Sequence, residues 1–76
     1  MSIETQIKEI IAEHLKVNLH KVKNDSDLKN DLDADSIDIV EISMKLETAF
    51  DIDIPSDDAE QFLSVQNLID YVSKLC

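Results

Sequence analysis

Asp35-Ser36-Ile37-Asp38-Ile39-Val40-Glu41-Ile42-Ser43-Met44-Lys45-Leu46-Glu47-Thr48-Ala49-Phe50 is the stretch whose reading decides the fold. Asp35 suits a helix N-cap, Asp38 follows three residues later, and strong helix formers run behind it to about Phe50. On a wheel at ~100° per residue, Ile39, Ile42, Leu46, Ala49 and Phe50 share about one-third of the circumference. That is the expected core face. Ile37, Val40 and Met44 fall on the opposite side with Glu41 and Thr48. A helix docks in a bundle through one apolar face, so this second stripe needs its own use. A central helix buried on two sides is the plainer one. The mixture with Asp38, Glu41 and Glu47 instead favours an exposed strip that docks a partner with basic groups and apolar pockets.

Working outward, Asp51-Ile52-Asp53-Ile54-Pro55 alternates briefly like a strand. Pro55 closes it and no second strand is available, so a loop is expected. Ser56 is expected to cap a short helix with Asp57 and Asp58 in its first turn. Ser64 should cap a last helix with Val65, Leu68, Ile69, Val72 and Leu75 on one face. Upstream, Ser2 should cap a helix over residues 3–15, where Ile3, Ile7, Ile10, Ile11 and Leu15 recur at helical spacing. Glu4 suits its first turn and pairs with Lys8 one turn on. Between these helices a long connection runs from Val17 to about Ala34. Such a loop needs anchors, and Val17, Leu19, Val22, Leu28 and Leu32 are the candidates. The expectation is a single all-α domain over residues 1–76. It is a small four-helix bundle, with three longer helices, one short helix and a long loop between the first two.

Charge is concentrated rather than spread. The chain carries 17 Asp and Glu against 7 Lys and Arg, a formal −10. Residues 25–60 alone hold thirteen acids against Lys29 and Lys45, or −11. This excludes the basic footprint of a nucleic-acid binder and disfavours an anionic membrane surface. It suits steering toward a basic partner. With 43% hydrophobic residues the chain is not compositionally disordered. Glycine is absent, which argues against glycine turns and phosphate-cradling glycine loops. The first residues lack a secretory pattern and no run approaches ~20 apolar residues, so a cytoplasmic, reducing setting is expected; a monomer is expected as well. Cys76, the one cysteine, reads as an unpaired terminal thiol.

Little in the chain suggests catalysis. Asp31, Asp33 and Asp35 match the first positions of a calcium loop, but Ser36 and Ile42 stand where it needs glycine and a bidentate glutamate. Solvated acidic surface is the preferred reading of Asp31, Asp35 and Asp38, with a weak shared divalent site as the alternative. His14 reads as a boundary residue of the first helix, and neither His14 nor His20 has a nucleophile in a motif with it. Ser36 is distinctive. Its hydroxyl should project from the rigid start of the second helix beside the long loop, although capping is the commoner use of such a serine. It has no general base nearby, so any modification must come from an external enzyme supplying metal and cationic groups.

The run Asp31-Leu32-Asp33-Ala34-Asp35-Ser36-Ile37-Asp38 resembles the attachment motif of acyl carrier proteins, Asp-Leu-Gly-Ala-Asp-Ser-Leu-Asp. Val40-Glu41, the segment Ala49-Phe50-Asp51-Ile52-Asp53-Ile54-Pro55, and Val65-Gln66 with Ile69-Asp70-Tyr71-Val72 extend the likeness over the whole chain. The resemblance implies phosphopantetheine, donated by coenzyme A, on Ser36, flanked by Asp35, Ile37 and Asp38. A separate magnesium-dependent phosphopantetheinyl transferase would attach it. The thiol of the group would carry acyl intermediates as thioesters to fatty-acid synthesis enzymes, and the protein itself would not be an enzyme. Ile37, Val40, Glu41, Met44, Glu47, Asp58 and Glu60 would dock basic partner patches. Ile39, Ile42, Leu46, Phe50, Ile54, Ala59 and Phe62 would line a pocket for the acyl chain.

Two departures from the family pattern stand out. Asp33 replaces the usual glycine, adding charge and removing conformational freedom before the helix. Thr48 and Ser56 stand where acids are frequent. Both leave room for a carrier dedicated to lipid A, polyketide or another specialised pathway. An unmodified acidic adaptor using only the second stripe is the alternative from a different class.

Overall fold

The computed structural model describes residues 2–75, which form four α-helices and no strand. The reading of Cys76 lies outside the described residues. Helix α1 (Ile3–Leu15) begins where the Ser2 hydroxyl accepts the Thr5 N–H at 3.2 Å. It buries Ile7, Ile11 and Ala12 and ends at Lys16, whose left-handed backbone returns its N–H to the Ala12 carbonyl.

The long connection is ordered by its own polar groups. A single 3₁₀ turn covers Leu19–Lys21, and Val22, Leu28, Leu32 and Ala34 are buried. Leu19, expected to anchor the loop, is instead 42% exposed, in a 3₁₀ turn that buries none of its residues. The buried Ser26 hydroxyl donates to the Lys21 carbonyl and accepts the Lys23 N–H. An isolated antiparallel bridge joins Asp27 to Ser64, with Leu28 N–H on the Leu63 carbonyl at 2.9 Å and Val65 N–H on the Ser26 carbonyl at 3.0 Å. The connection is thereby tied to the start of the last helix, which satisfies backbone groups that a buried loop would otherwise strand.

Helix α2 (Ser36–Phe50) starts from a reciprocal capping box. The Asp38 N–H donates to Asp35 Oδ1 at 2.8 Å, and the Asp35 N–H donates to Asp38 Oδ2 at 3.2 Å. Its buried residues are Ile39, Ile42, Ser43 and Leu46. Ala49, placed on the core face from the wheel, is exposed, and Ser43 takes the inward place. Ser43 tolerates burial because its hydroxyl donates to the Ile39 carbonyl at 2.9 Å.

Helix α3 (Ser56–Ala59) is one turn long. Pro55, not Ser56, holds its N-cap position, and no side chain caps it; the Pro55 carbonyl accepts the Asp58 and Ala59 N–H groups instead. Helix α4 (Val65–Leu75) starts as expected, with Ser64 Oγ accepting the Asn67 N–H, while Asn67 Oδ1 accepts the Leu63 and Ser64 N–H groups. It buries Val65, Leu68, Ile69 and Val72, whereas Leu75 in the last turn is half exposed. Helix α1 packs on both α2 and α4, and α3 packs on α2. Residues from every helix and from the long connection meet in one core, with Ile7, Ile11, Leu28, Ile42, Leu46 and Leu68 among its fully enclosed side chains.

Glycine's absence did not exclude left-handed turns. Lys16, Asp33 and Asp51 all adopt positive φ, at 57°, 57° and 54°. Two of them end α1 and α2, and the third, Asp33, lies just ahead of α2.

Candidate functional site

Ser36 opens α2 and is exposed. Because Asp35 and Asp38 complete the capping box, the serine hydroxyl is not needed as a cap, and it makes no hydrogen bond among the described residues. The backbone leading to it is fixed. Ala34 is buried, its N–H donates to the Leu28 carbonyl at 2.8 Å, and Asp33 holds φ 57°. Aspartate tolerates that region better than most residues, so it stands where the resemblance expects glycine without breaking the turn.

Two concavities meet at Ser36. One of about 230 Å³ is lined by Lys29, Ser36, Ile39 and Glu60. The other, about 420 Å³ and open to solvent, is lined by Ser36, Ile37, Val40, Glu41 and Glu60. Lys29 is the residue sequence reasoning missed here, since a lone lysine within an acidic run carried no positional signal. Among the seven residues expected around an acyl chain, Ile39 faces the smaller concavity and is otherwise buried. Ile42, Leu46, Ile54, Ala59 and Phe62 are buried in the same core, and Phe50 is partly buried against it.

The second stripe of α2 is exposed at Ile37 and Met44. Ile37 is 67% and Met44 58% exposed, with Val40 partly buried and Glu41 and Glu60 facing solvent. Two acids expected on this docking face also hold bonds within the fold. Glu47 Oε2 accepts the Ile54 N–H at 3.0 Å, which pins the loop after α2. Asp58 accepts the Tyr71 hydroxyl at 2.7 Å, and Tyr71 stacks edge-on to Phe62. The bond to the Asp58 carboxylate, helped by burial, raises the Tyr71 hydroxyl above its ordinary pKa. Leu63, 60% exposed, is a further apolar surface residue that periodicity did not single out.

His14 is more than a boundary residue. Its side chain is only 11% exposed, and Nε2 lies 3.3 Å from Asp38 Oδ1 and 3.4 Å from Glu41 Oε2. It therefore links α1 to the first turns of α2. The Asp35 N–H, with His14 adding to it, holds the Asp38 carboxyl below its ordinary pKa. The acids of the alternative divalent site make bonds of their own. Asp31 Oδ2 accepts the Asp27 N–H at 2.7 Å, and Asp35 Oδ1 accepts the Asp38 N–H at 2.8 Å. Among the described residues, the carboxylates gathered with a possible nitrogen ligand are Asp38 and Glu41, beside His14, with neither Asp31 nor Asp35.

A family model described as the phosphopantetheine attachment site matches residues 5–72. The match runs from α1 to the end of the buried part of α4, so the chain belongs to this family of acyl-carrier-type proteins. The family attaches phosphopantetheine covalently, and the chain is a phosphopantetheine carrier. Membership also brings a phosphopantetheinyl transferase and acyl-handling enzymes as its class of partners. Among the described residues, no helix is long and apolar enough to cross a membrane.

Proposed function

We propose that the protein is a non-catalytic carrier that holds phosphopantetheine on Ser36 and presents acyl groups to the enzymes of fatty-acid synthesis. The observation that carries this reading is the state of the Ser36 hydroxyl. It is exposed, relieved of capping duty, and mounted on the first residue of a helix whose start is fixed by Asp35 and Asp38.

The surroundings fit the group. A phosphodiester on Ser36 would meet the positive end of the α2 dipole, and Lys29 lines the adjoining concavity. Asp35 and Asp38 hold their carboxylates in the capping box, which orients them along the helix start. Bound there, the group supplies a terminal thiol that holds acyl chains as thioesters. Ile39 sits between the Ser36 concavity and the apolar core, so the chain's own contribution is an apolar route for a hydrocarbon away from water. Fatty acyl groups match that lining better than polar intermediates.

Ile37, Val40 and Met44 form the apolar part of the docking face, and Glu41 and Glu60 its acidic rim. Exposed apolar side chains next to acids suit enzymes whose docking patches are basic with apolar recesses. Treatment with a phosphopantetheinyl transferase, coenzyme A and magnesium, followed by mass mapping of proteolytic fragments, tests the assignment. The modification is expected on the fragment containing Ser36; its recovery on any other residue would overturn the reading.

A further inference from the structure

The contact between His14 and α2 has a geometry that a plain helix–helix bond does not require. One imidazole nitrogen, Nε2, stands 3.3 Å from Asp38 Oδ1 and 3.4 Å from Glu41 Oε2. That nitrogen carries at most one proton, so it can donate a full hydrogen bond to only one of the two carboxylates. A cation satisfies all three. Ligands bonded to a tetrahedral ion at ~2.0–2.1 Å lie roughly 3.3–3.4 Å apart, which is the spacing of both histidine–carboxylate pairs. All three donor atoms fall within 4.8 Å of one another.

The set is also held in place. The His14 ring is 11% exposed between two helices and has little freedom to lose. The other carboxylate oxygen of Asp38 accepts the Asp35 N–H at 3.2 Å, which aims Oδ1 at His14. That fixing of a ligand by a neighbouring backbone group is what tuned metal sites use. Glu41 is 52% exposed, so one side of the trio is open to water for the remaining coordination position. One imidazole and two carboxylates suit a borderline divalent ion such as zinc; magnesium and calcium favour oxygen donors alone.

We propose that His14, Asp38 and Glu41 form a zinc-class divalent cation site that clamps α1 to the start of α2. It differs in members and chemistry from an all-aspartate site at Asp31, Asp35 and Asp38. It does not depend on which residue carries the phosphopantetheine. Through Glu41 and Asp38, an ion there would neutralise charge beside Ser36 and on the rim of the docking face.

The test uses the full chain with Ser36 unmodified and Cys76→Ser, so that no thiol competes for the ion. Zinc chloride and magnesium chloride are titrated in separate series while the His14 ring resonances and the thermal midpoint are followed. Zinc is expected to bind saturably at one ion per chain, to shift the His14 ring signals and to raise the midpoint; magnesium should leave the ring signals unmoved. His14→Gln and Glu41→Gln should each weaken zinc binding about tenfold or more, whereas Asp31→Asn should leave it unchanged. Unshifted His14 resonances at saturating zinc would overturn the site without recourse to any variant. So would undiminished zinc affinity in a folded His14→Gln protein.

Discussion

Asp35 and Asp38 exchange backbone-to-carboxylate hydrogen bonds of 2.8 and 3.2 Å across the first turn of α2, and Ser36 between them is left out of the exchange. The helix start is therefore rigid without the serine. That separation of structural duty from chemical availability is what a modification site needs, because adding a group to a working cap would weaken the helix.

It follows that the two aspartates and the serine differ in their effect on stability. Asp35→Ala should lower unfolding free energy by about 1 kcal/mol, the usual cost of losing an N-cap. Ser36→Ala should stay within about 0.5 kcal/mol of the parent, as for a surface change away from any special feature. Urea denaturation of both variants checks this. A larger loss from Ser36→Ala than from Asp35→Ala would mean that the serine is structural.

Asp33 supports a second prediction. Its φ of 57° is tolerable for aspartate but costly for a β-branched residue. Asp33→Val should destabilise by about 1–2 kcal/mol relative to Asp33→Gly. Equal stabilities would show that the chain before Ser36 relaxes freely into another conformation.

The Asp38 carboxyl, held below its ordinary value of 3.8 by the Asp35 N–H and by His14, gives a pH dependence with a definite sign. Its contribution is fully present above 3.8 and is lost as pH falls through the lower value that it has in the fold. The stability gap between the parent and Asp38→Asn should therefore narrow below pH 3.8. Tyr71 runs the other way. Its hydroxyl is raised above 10.0 by Asp58, so its contribution is present below pH 10.0 and is lost as pH rises through the raised value. Denaturant titrations of Asp38→Asn and Tyr71→Phe across both limits check the signs; a gap independent of pH in either variant would contradict the corresponding contact.

The docking face makes a prediction about partners. Met44→Ala should weaken binding to an acyl-handling enzyme by loss of apolar contact, and Glu41→Lys by reversal of charge at the rim. Binding of the unsubstituted protein should also fall as salt rises. Affinities measured at low and high ionic strength that agree within error would count against an electrostatic docking face.

Much of this was readable before any coordinates. Ser2, Asp35 and Ser64 announced helix starts because capping is local, depending on a side chain and an N–H two or three residues on. Periodicity set the stripe of Ile37 and Met44 apart from the core face, and the acids mixed into it favoured exposure. Features that failed depended on three-dimensional company. Ser43 went inward in place of Ala49 because a hydroxyl can return its bond to Ile39, which a hydropathy wheel does not register. The bonds from the Ile54 N–H to Glu47 and from the Tyr71 hydroxyl to Asp58 also went unread, because each joins groups that no local pattern pairs. His14 meets Asp38 across 24 positions of sequence, a pairing no local pattern encodes. Lys16, Asp33 and Asp51 showed that left-handed turns do not require glycine.

The central claim is that Ser36 is the attachment point, and intact-mass measurement tests it most directly. After incubation with a phosphopantetheinyl transferase, coenzyme A and magnesium, the unsubstituted protein should gain the mass of one phosphopantetheinyl group and Ser36→Ala should gain none. No gain by the unsubstituted protein, or the same gain by Ser36→Ala, would contradict the account.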